Sequence, residues 1–145
     1  TKFLTVPKVD LYDLYKRAIC INTYMNMLNK LLTQRNLPNI NAGIGLSASE
    51  TLVVKAGRKS INNLVWIGKS VPLASKLADI SNKNKIKRIA VSETFHYNII
   101  DIVRQNHPHL ESAFIEEFDE KIGNFYHLDL YESDFVDWID EGMPT

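Results

Sequence analysis

The sequence has little cysteine, no excess charge of either sign and no long hydrophobic run. Cys20 is the single cysteine, so an intrachain disulfide and a cysteine-rich zinc site are both excluded. The 17 basic and 17 acidic residues cancel, which removes the charge signature of a protein that tracks nucleic acid. No apolar run is long enough to span a membrane, and the first residues lack the pattern of a signal peptide. We therefore expect a cytoplasmic protein without nucleic-acid or membrane partners.

The residues that are present suit one globular domain. With 145 residues and 45% apolar content, the chain can bury a single hydrophobic core. A long helix is predicted from an N-cap at Asp10 to about Arg35, where Leu37 and Pro38 end it. Cys20 falls within this helix and is expected in the core. Apolar residues at three- and four-residue steps predict the buried stripe of the helix, namely Leu11, Leu14, Ala18, Ile21, Met25, Leu28 and Leu32.

Three strands are predicted to follow the long helix. Residues 39–47 alternate apolar with small or polar side chains, which is typical of a strand with one buried face. Gly43 and Gly45 lie on the other face of this strand and leave room for a close neighbour. Residues 51–56 and 63–67 are rich in β-branched and apolar side chains, and turn residues separate them. These two segments therefore predict a hairpin.

The remaining elements complete an α+β pattern. Ser70 is expected to cap a second helix, and Pro72 is tolerated in the first turn of that helix. A strand, a helix, a short acidic helix, a strand and an acidic tail are then predicted at residues 86–92, 95–105, 110–118, 125–130 and 132–141. The longer of these helices is expected to bury Phe95, Ile99, Ile102 and Val103. This order favours a sheet covered by helices on one face, with the tail docked on its own domain.

The stretch between residues 40 and 98 resembles the catalytic domain of the class III nucleotidyl cyclases. The matching segments follow one another with the spacing of that family, and they are Gly43-Ile44-Gly45-Leu46, Lys55-Ala56-Gly57, Leu64 to Leu77 and Ile89-Ala90-Val91-Ser92. Within the family the chain is most similar to the bacterial pyrimidine cyclases of anti-phage signalling. Residues 1–131 are therefore expected to form the C-terminal portion of a cyclase domain, and residues 132–145 an acidic tail or short helix.

The resemblance implies a fold, a reaction and an assembly. The fold is a ferredoxin-like antiparallel sheet with helices on one face, and its N-terminal elements are expected to be missing from this chain. The reaction is that of a lyase, which converts UTP or CTP to the 3′,5′-cyclic monophosphate and pyrophosphate. Active sites of the family form between two subunits, so a homodimer is expected. The family binds Mg²⁺ or Mn²⁺ through two aspartates upstream of the long helix, so no metal ligand is assigned within this chain.

Two positions of the second helix correspond to the catalytic pair of the family. The family motif V-N-x-A-x-R supplies an asparagine and an arginine that stabilise the transition state, and the resemblance puts these roles at Pro72 and Lys76. A lysine ammonium can stabilise the charge that builds on phosphate oxygens as pyrophosphate leaves. Proline offers neither a side-chain donor nor an N–H, so the contribution of the asparagine is absent. The alternative for Lys76 is a solvated lysine on a surface helix.

Four further residues are candidates for binding the nucleotide. Val65 stands at the base-selecting position of the family, and valine cannot read the adenine amino group. Arg58 and Lys69 flank the hairpin and the start of the second helix, where they could attract an anionic ligand. Asn62 lies near enough in sequence to supply hydrogen bonds. The alternatives are an inward strand residue for Val65, solvated charges for Arg58 and Lys69, and turn chemistry for Asn62.

Two other functions stay open from the sequence. A catalytically degenerate pseudo-cyclase would keep the fold and the dimer surface and would bind a nucleotide, or a catalytic partner, without turnover, and Pro72 favours this hypothesis. An RNA-recognition sheet would need aromatic residues on its central strands, which residues 40–46 and 86–91 lack. The histidines are expected to be solvated and not to form a zinc site, and they are His96, His107, His109 and His127.

Overall fold

The computed structural model describes the backbone of residues 2–3, 7–49, 51–58 and 61–145, and the side chains of residues 7–49 and 69–145. Four α-helices and seven strands occur in this part of the chain. In chain order the elements are β1 (Lys2–Phe3), α1 (Lys8–Gln34), β2 (Ile44–Leu46), β3 (Thr51–Arg58), β4 (Ile61–Gly68), α2 (Ser70–Ile80), β5 (Ile89–Ser92), α3 (Glu93–Asn106), a 3₁₀ helix (Pro108–Ala113), β6 (Ile115–Asp119), β7 (Gly123–Leu128) and α4 (Ser133–Asp140). None of the helices in the described ranges is long and apolar enough to cross a membrane.

The strands form two sheets, and the predicted α+β class is confirmed. A four-stranded sheet has the order β2-β5-β7-β6, in which β2 and β5 are parallel and the other neighbours are antiparallel, so the sheet is mixed. A three-stranded antiparallel sheet has the order β1-β3-β4. This arrangement of a four-stranded sheet with helices is consistent with the ferredoxin-like, cyclase-type fold that the sequence resembles.

Hydrophobic side chains cover both faces of the four-stranded sheet. Ile89 and Val91 of β5 point to the face on which α1 and α3 pack, and these residues form the larger core cluster. Ala90 of β5 and Phe125 of β7 point to the opposite face, where they meet Leu77 of α2. Because successive strand residues alternate between faces, one buried strand anchors helices on both sides. Two helices therefore share one face, and α2 covers part of the other.

The long helix α1 has the predicted length but different ends. Its N-cap is Pro7, so Asp10 lies in the first turn and is not the cap that we predicted. The C-terminus is closed by two backbone hydrogen bonds, from the N–H of Leu37 to the carbonyl of Leu32 at 2.9 Å and from the N–H of Asn36 to the carbonyl of Thr33 at 3.1 Å. Asn36 has φ 58°, and this pattern is a Schellman motif. The helix therefore ends at an asparagine that tolerates the left-handed region.

The predicted buried stripe of α1 is only partly correct. Ala18 is buried and Leu11 packs against the core, but other predicted positions are not buried. Leu14 is 42% exposed and Ile21 is 53% exposed, and Cys20, which we expected in the core, is also exposed. The buried residues are Tyr12, Tyr15, Ala18, Ile19, Asn22 and Thr23. Asn22 and Thr23 can be buried because they have hydrogen-bond partners after β7. A stripe drawn through the aliphatic residues alone therefore missed the tyrosines and the paired polar side chains.

The strand predicted at residues 39–47 is shorter than expected. Only Ile44–Leu46 form β2, and Ile40 is 49% exposed. Asn29 of α1 binds the backbone of Ile40 on both sides, because its Oδ1 accepts the N–H at 2.7 Å and its Nδ2 donates to the carbonyl at 3.0 Å. These bonds satisfy the Ile40 backbone without a strand partner.

The hairpin is confirmed, and its strands are longer than predicted. The register pairs Thr51 with Gly68 and Arg58 with Ile61, so Arg58 and Asn62 lie within strands. The turn residues 59–60 lie outside the described part. The helix α2 begins at Ser70 with Lys69 as its N-cap, so Ser70 is not the cap that we predicted.

In the C-terminal half, α3 is confirmed and the acidic helix is not. Ser92 caps α3 by accepting the N–H of Phe95 at 3.1 Å. Phe95, Ile99 and Val103 are buried as predicted, while Ile102 is half-buried and Ile100 takes the remaining buried position. Residues 110–118 instead form the end of the 3₁₀ helix and strand β6, because β6 pairs with β7. The predicted strands at 86–92 and 125–130 are observed as β5 and β7 with shifted ends.

The acidic tail docks on its own chain, as predicted. Residues 133–140 form α4, and the side chain of Ile139 is 1% exposed. Nζ of Lys30 on α1 donates to the carbonyl of Ile139 at 2.6 Å. Asn22 and Thr23, both about two turns earlier on α1, bind the segment between β7 and α4. The C-terminal segment therefore packs on the long helix α1.

Candidate functional site

The two glycines of the predicted close approach lie against α2. A Cβ atom on Gly45 would overlap the carbonyl oxygen of Ala74 and would lie 2.6 Å from the backbone nitrogen of Ala78. A Cβ on Gly43 would lie 2.8 Å from the carbonyl oxygen of Ala78. Any larger residue would push the helix away from the strand, so the expected close approach is confirmed. The glycines therefore set the position of α2, on which the proposed catalytic residues stand.

One face of α2 faces the sheet and the other is open. Leu77 is fully buried and Leu73 packs partly against the same cluster. Pro72 and Lys76 are one turn apart and both are exposed, because residues four apart share a face of a helix. Lys69 is also exposed and is the N-cap of the helix. Lys69, Pro72 and Lys76 thus stand exposed on α2, at its N-cap, in its first turn and about two turns from its start.

The other predicted binding residues are spread along the hairpin. Val65 pairs with Val54 in the middle of the strands, and Asn62 pairs with Gly57 near the far end. At about 3.4 Å per residue, Asn62 lies roughly 20 Å along β4 from Gly68, where the strand meets α2. Arg58 lies at the same far end. Arg58 and Asn62 therefore lie at the end of the hairpin opposite the start of α2. The side chains of Arg58, Asn62 and Val65 are outside the described part.

The described side chains do not fit a divalent cation. In residues 7–49 and 69–145, no group of three or more His, Cys, Asp or Glu side chains could hold a metal ion. Asp13 is occupied by a salt bridge to Lys16 at 3.2 Å. The described residues therefore provide no ligand set for the Mg²⁺ or Mn²⁺ that the resemblance implies.

The four histidines do not share one environment. His107 and His109 are exposed, as expected for solvated histidines. His96 instead stacks on Tyr126, with ring centroids 3.7 Å apart, and burial lowers its pKa. His127 is 2% exposed, so the expectation that it is solvated is wrong. It lies on β7 two residues after Phe125, on the face that α2 covers, and this alternation is the signal that could have predicted its burial.

The chain is similar to a curated protein from Treponema porcinum named uridylate cyclase. The two sequences are 38% identical over 143 residues, which are 97% of this chain and 48% of that protein. The chain therefore spans about half the length of this relative. No family model matches the chain. No solved structure matches it either. The similarity supports the resemblance to a nucleotidyl cyclase that acts on a pyrimidine nucleotide.

Proposed function

We propose that this chain is part of a nucleotidyl cyclase that converts a pyrimidine nucleoside triphosphate, UTP before CTP, to the 3′,5′-cyclic monophosphate. The observation that carries the proposal is the 38% identity with a protein named uridylate cyclase along 97% of the chain. The finer assignments come from the sequence resemblance, namely a class III mechanism, a homodimer, a cytoplasmic location and a role in bacterial anti-phage signalling. The exposed face of α2 supports an arrangement in which a second subunit completes the site.

The proposed chemistry is an intramolecular displacement at phosphorus. The ribose 3′-oxygen attacks the α-phosphate and forms the new P–O bond, the bond to the β-phosphate oxygen breaks, and pyrophosphate leaves with that electron pair. The 3′-hydroxyl proton passes to solvent or to a base. In this proposal the ammonium of Lys76 contacts the phosphate oxygens on which negative charge accumulates, and Lys69 attracts the polyphosphate to the start of α2.

The remaining roles follow the same proposal. Val65 would face the base, and Arg58 and Asn62 would contact the nucleotide from the hairpin. Arg58 and Asn62 lie at the end of the hairpin opposite the start of α2, so in this proposal their contacts come from the hairpin of the other subunit. The Mg²⁺ or Mn²⁺ of the family would stabilise phosphate charge from ligands beyond the described side chains.

Pro72 favours a second candidate, a pseudo-cyclase that binds nucleotide or a catalytic partner without turnover. It occupies the exposed position where the family asparagine would stand, one turn before Lys76. Loss of one preorganised donor commonly lowers kcat by about a hundredfold to a thousandfold. Where the pseudo-cyclase binds nucleotide, the two candidates share the nucleotide site and differ in the rate of the chemical step.

One experiment separates the two candidates. The full-length protein is incubated with Mn²⁺ and each common nucleoside triphosphate, and the products are identified by mass spectrometry. Cyclic UMP as the main product supports the cyclase. Nucleotide binding without a cyclic product from any triphosphate supports the pseudo-cyclase. Absence of both binding and product contradicts the cyclase and leaves only a pseudo-cyclase that binds a catalytic partner.

Substitutions on α2 test the residue assignment. Lys76→Ala should lower turnover by about a hundredfold or more, because it removes a preorganised cation from the phosphates. Pro72→Asn should raise turnover, because it restores a side-chain donor. Initial rates of cyclic product formation measure both effects. Lys83→Ala removes an exposed lysine just beyond α2 and should leave the rate unchanged, whereas unchanged rates in all three variants would remove α2 from the site.

A further inference from the structure

Helix α2 runs along β2 in the opposite direction, and its contacts advance by about one helical turn for every two strand residues. A Cβ atom on Gly43 would meet the carbonyl oxygen of Ala78, and one on Gly45 would meet the carbonyl oxygen of Ala74. Two strand residues span about 6.8 Å and four helical residues about 6 Å, so the two steps match. The same step predicts a third contact, two residues beyond Gly45 and in the first turn of α2.

Ser47 makes this third contact through a hydrogen bond. Its hydroxyl donates to the carbonyl oxygen of Ser70, the first residue of α2. The glycines set how closely the helix approaches the strand. A hydrogen bond also sets the position of the helix along its axis, because donor and acceptor must stay within about 3 Å. Ser47 therefore ties the start of α2 to the end of β2.

The segment that carries Ser47 is itself anchored. The backbone N–H of the next residue, Ala48, donates to the hydroxyl oxygen of Ser92 at 3.3 Å. The same oxygen caps α3 by accepting the N–H of Phe95 at 3.1 Å. The hydroxyl of Ser47 is thus presented to α2 from a segment that is bound to the start of α3.

The exposed face of α2 depends on this attachment. Lys69 precedes Ser70 directly, and Lys76 lies less than two turns further along the same helix. A shift of α2 along β2 would therefore move both ammonium groups together. A displacement of about 1 Å in a catalytic group can lower a rate by about a hundredfold.

We propose that Ser47 is a positioning residue of the nucleotide-cyclising site. Its hydroxyl acts through α2 by fixing where Lys69 and Lys76 stand along the sheet, and Ser47 itself does not contact the nucleotide. This inference rests on the proposed function, because it assigns a role in the same reaction.

Kinetics of the full-length protein test the role. Ser47→Ala removes only the hydroxyl and should lower kcat for cyclic UMP about tenfold, because the start of α2 is then held by packing alone. The KM for UTP should change by less than about twofold, since long-range attraction by exposed lysines tolerates a small displacement. Ser47→Thr keeps the hydroxyl and should restore most of the wild-type kcat.

Hydrogen exchange gives a second measurement that needs no turnover. In Ser47→Ala the amides of the first turns of α2, such as that of Leu73, should exchange about tenfold faster, the value of one ordinary hydrogen bond. Amides of β5 should keep their wild-type protection, which shows that the variant is folded. Ser47→Thr should exchange like the wild type.

Ser81→Ala is the matched control. It removes a hydroxyl that donates to the carbonyl of Ala78 at 2.9 Å, at the far end of α2, without joining the helix to β2, and it should leave kcat unchanged. Wild-type kcat in Ser47→Ala, or an equal loss in Ser81→Ala, would overturn the positioning role and leave the proposed function intact. Absence of cyclic product from the wild type would overturn the proposed function and this role with it.

Discussion

His127 lies on the α2 side of the four-stranded sheet, where only one of its two ring nitrogens makes a hydrogen bond within the described part of the chain. Its Nδ1 accepts the backbone N–H of Lys87 at 3.0 Å, and its Nε2 lies 3.7 Å from Oε2 of Glu117, which is too far for a hydrogen bond. Burial lowers the pKa of His127, and Lys87 and Lys85 lower it further, while Glu117 acts in the opposite direction. The neutral imidazole is therefore the native form.

This environment predicts a loss of stability in mild acid. In the unfolded chain the histidine has a pKa of about 6.5, so below that pH the unfolded state binds more protons than the native state. The contribution of neutral His127 to the free energy of unfolding should be fully present above about pH 6.5. The free energy of unfolding should decrease as the pH falls below that value. Urea midpoints at about pH 7.5 and 5.5 measure the decrease.

The substitution His127→Asn should make the stability less dependent on pH. The Oδ1 atom of asparagine can still accept the N–H of Lys87, but the side chain does not titrate. The decrease should become smaller without vanishing, because the pKa of His96 is also lowered by burial. His109→Asn, at an exposed position, should keep the wild-type decrease. An unchanged decrease in His127→Asn would contradict this account.

The environment of a single residue was predictable where it depends on the residue's own chemistry, and not where it depends on contacts with residues distant in sequence. The close approach at Gly45 followed from the absence of a side chain, and the structure confirms it. The burial of Asn22 depends on Asp129 and Leu130 far along the chain, which periodicity does not reveal, whereas the alternation along β7 does indicate the burial of His127. The roles of Lys76 and Pro72 come from resemblance and stay predictions, because they depend on a nucleotide and on a second subunit.

Among the elements, helix α1 shows a buried face that differs from the predicted one, because Ile19 is buried where Ile21 was predicted to be. Ile19 and Ile21 are two positions apart, and they are 8% and 53% exposed. Ile19→Ala should lower the free energy of unfolding by about 2 to 3 kcal/mol, because it leaves a cavity in the core. Ile21→Ala should change it by less than about 0.5 kcal/mol. Chemical denaturation of both variants measures the difference, and equal losses would show that the Ile21 face is also covered in the intact protein.

The strands were predicted with mixed success for a physical reason. The hairpin is a local pair of β-branched segments, so its sequence alone was sufficient. Strand β6 contains glutamates, which also suit a helix, and the segment is a strand because it pairs with β7. Strand β2 was overestimated because Asn29, eleven residues away, binds the backbone of Ile40. Local pattern thus gave the element order except at β6, where a helix was predicted, and tertiary hydrogen bonds set several of the ends.

For the molecule as a whole, the C-terminal segment is held to α1 by polar contacts along the helix. Nδ2 of Asn22 donates to Asp129 at 2.8 Å, and the hydroxyl of Thr23 accepts the N–H of Glu132 at 2.9 Å. The Lys30 ammonium donates to the carbonyl of Ile139. These bonds join residues more than a hundred positions apart in sequence, so they cost loop-closure entropy and depend on the rest of the fold.

Ile139 is the buried apolar residue of α4, and its substitution tests how strongly α4 is held on the rest of the chain. Ile139→Ala should make the docking of α4 less favourable by about 2 to 4 kcal/mol, because the side chain is buried. Hydrogen exchange of the α4 amides should then accelerate by at least about tenfold, while amides of β5 change less, since local opening of a docked terminus precedes global unfolding. Ile115→Ala makes the same substitution at a 42% exposed position of β6 and should leave α4 protected. Equal acceleration in α4 and β5 would instead mean that α4 and the central sheet open as one cooperative unit, with α1 as the element that couples them.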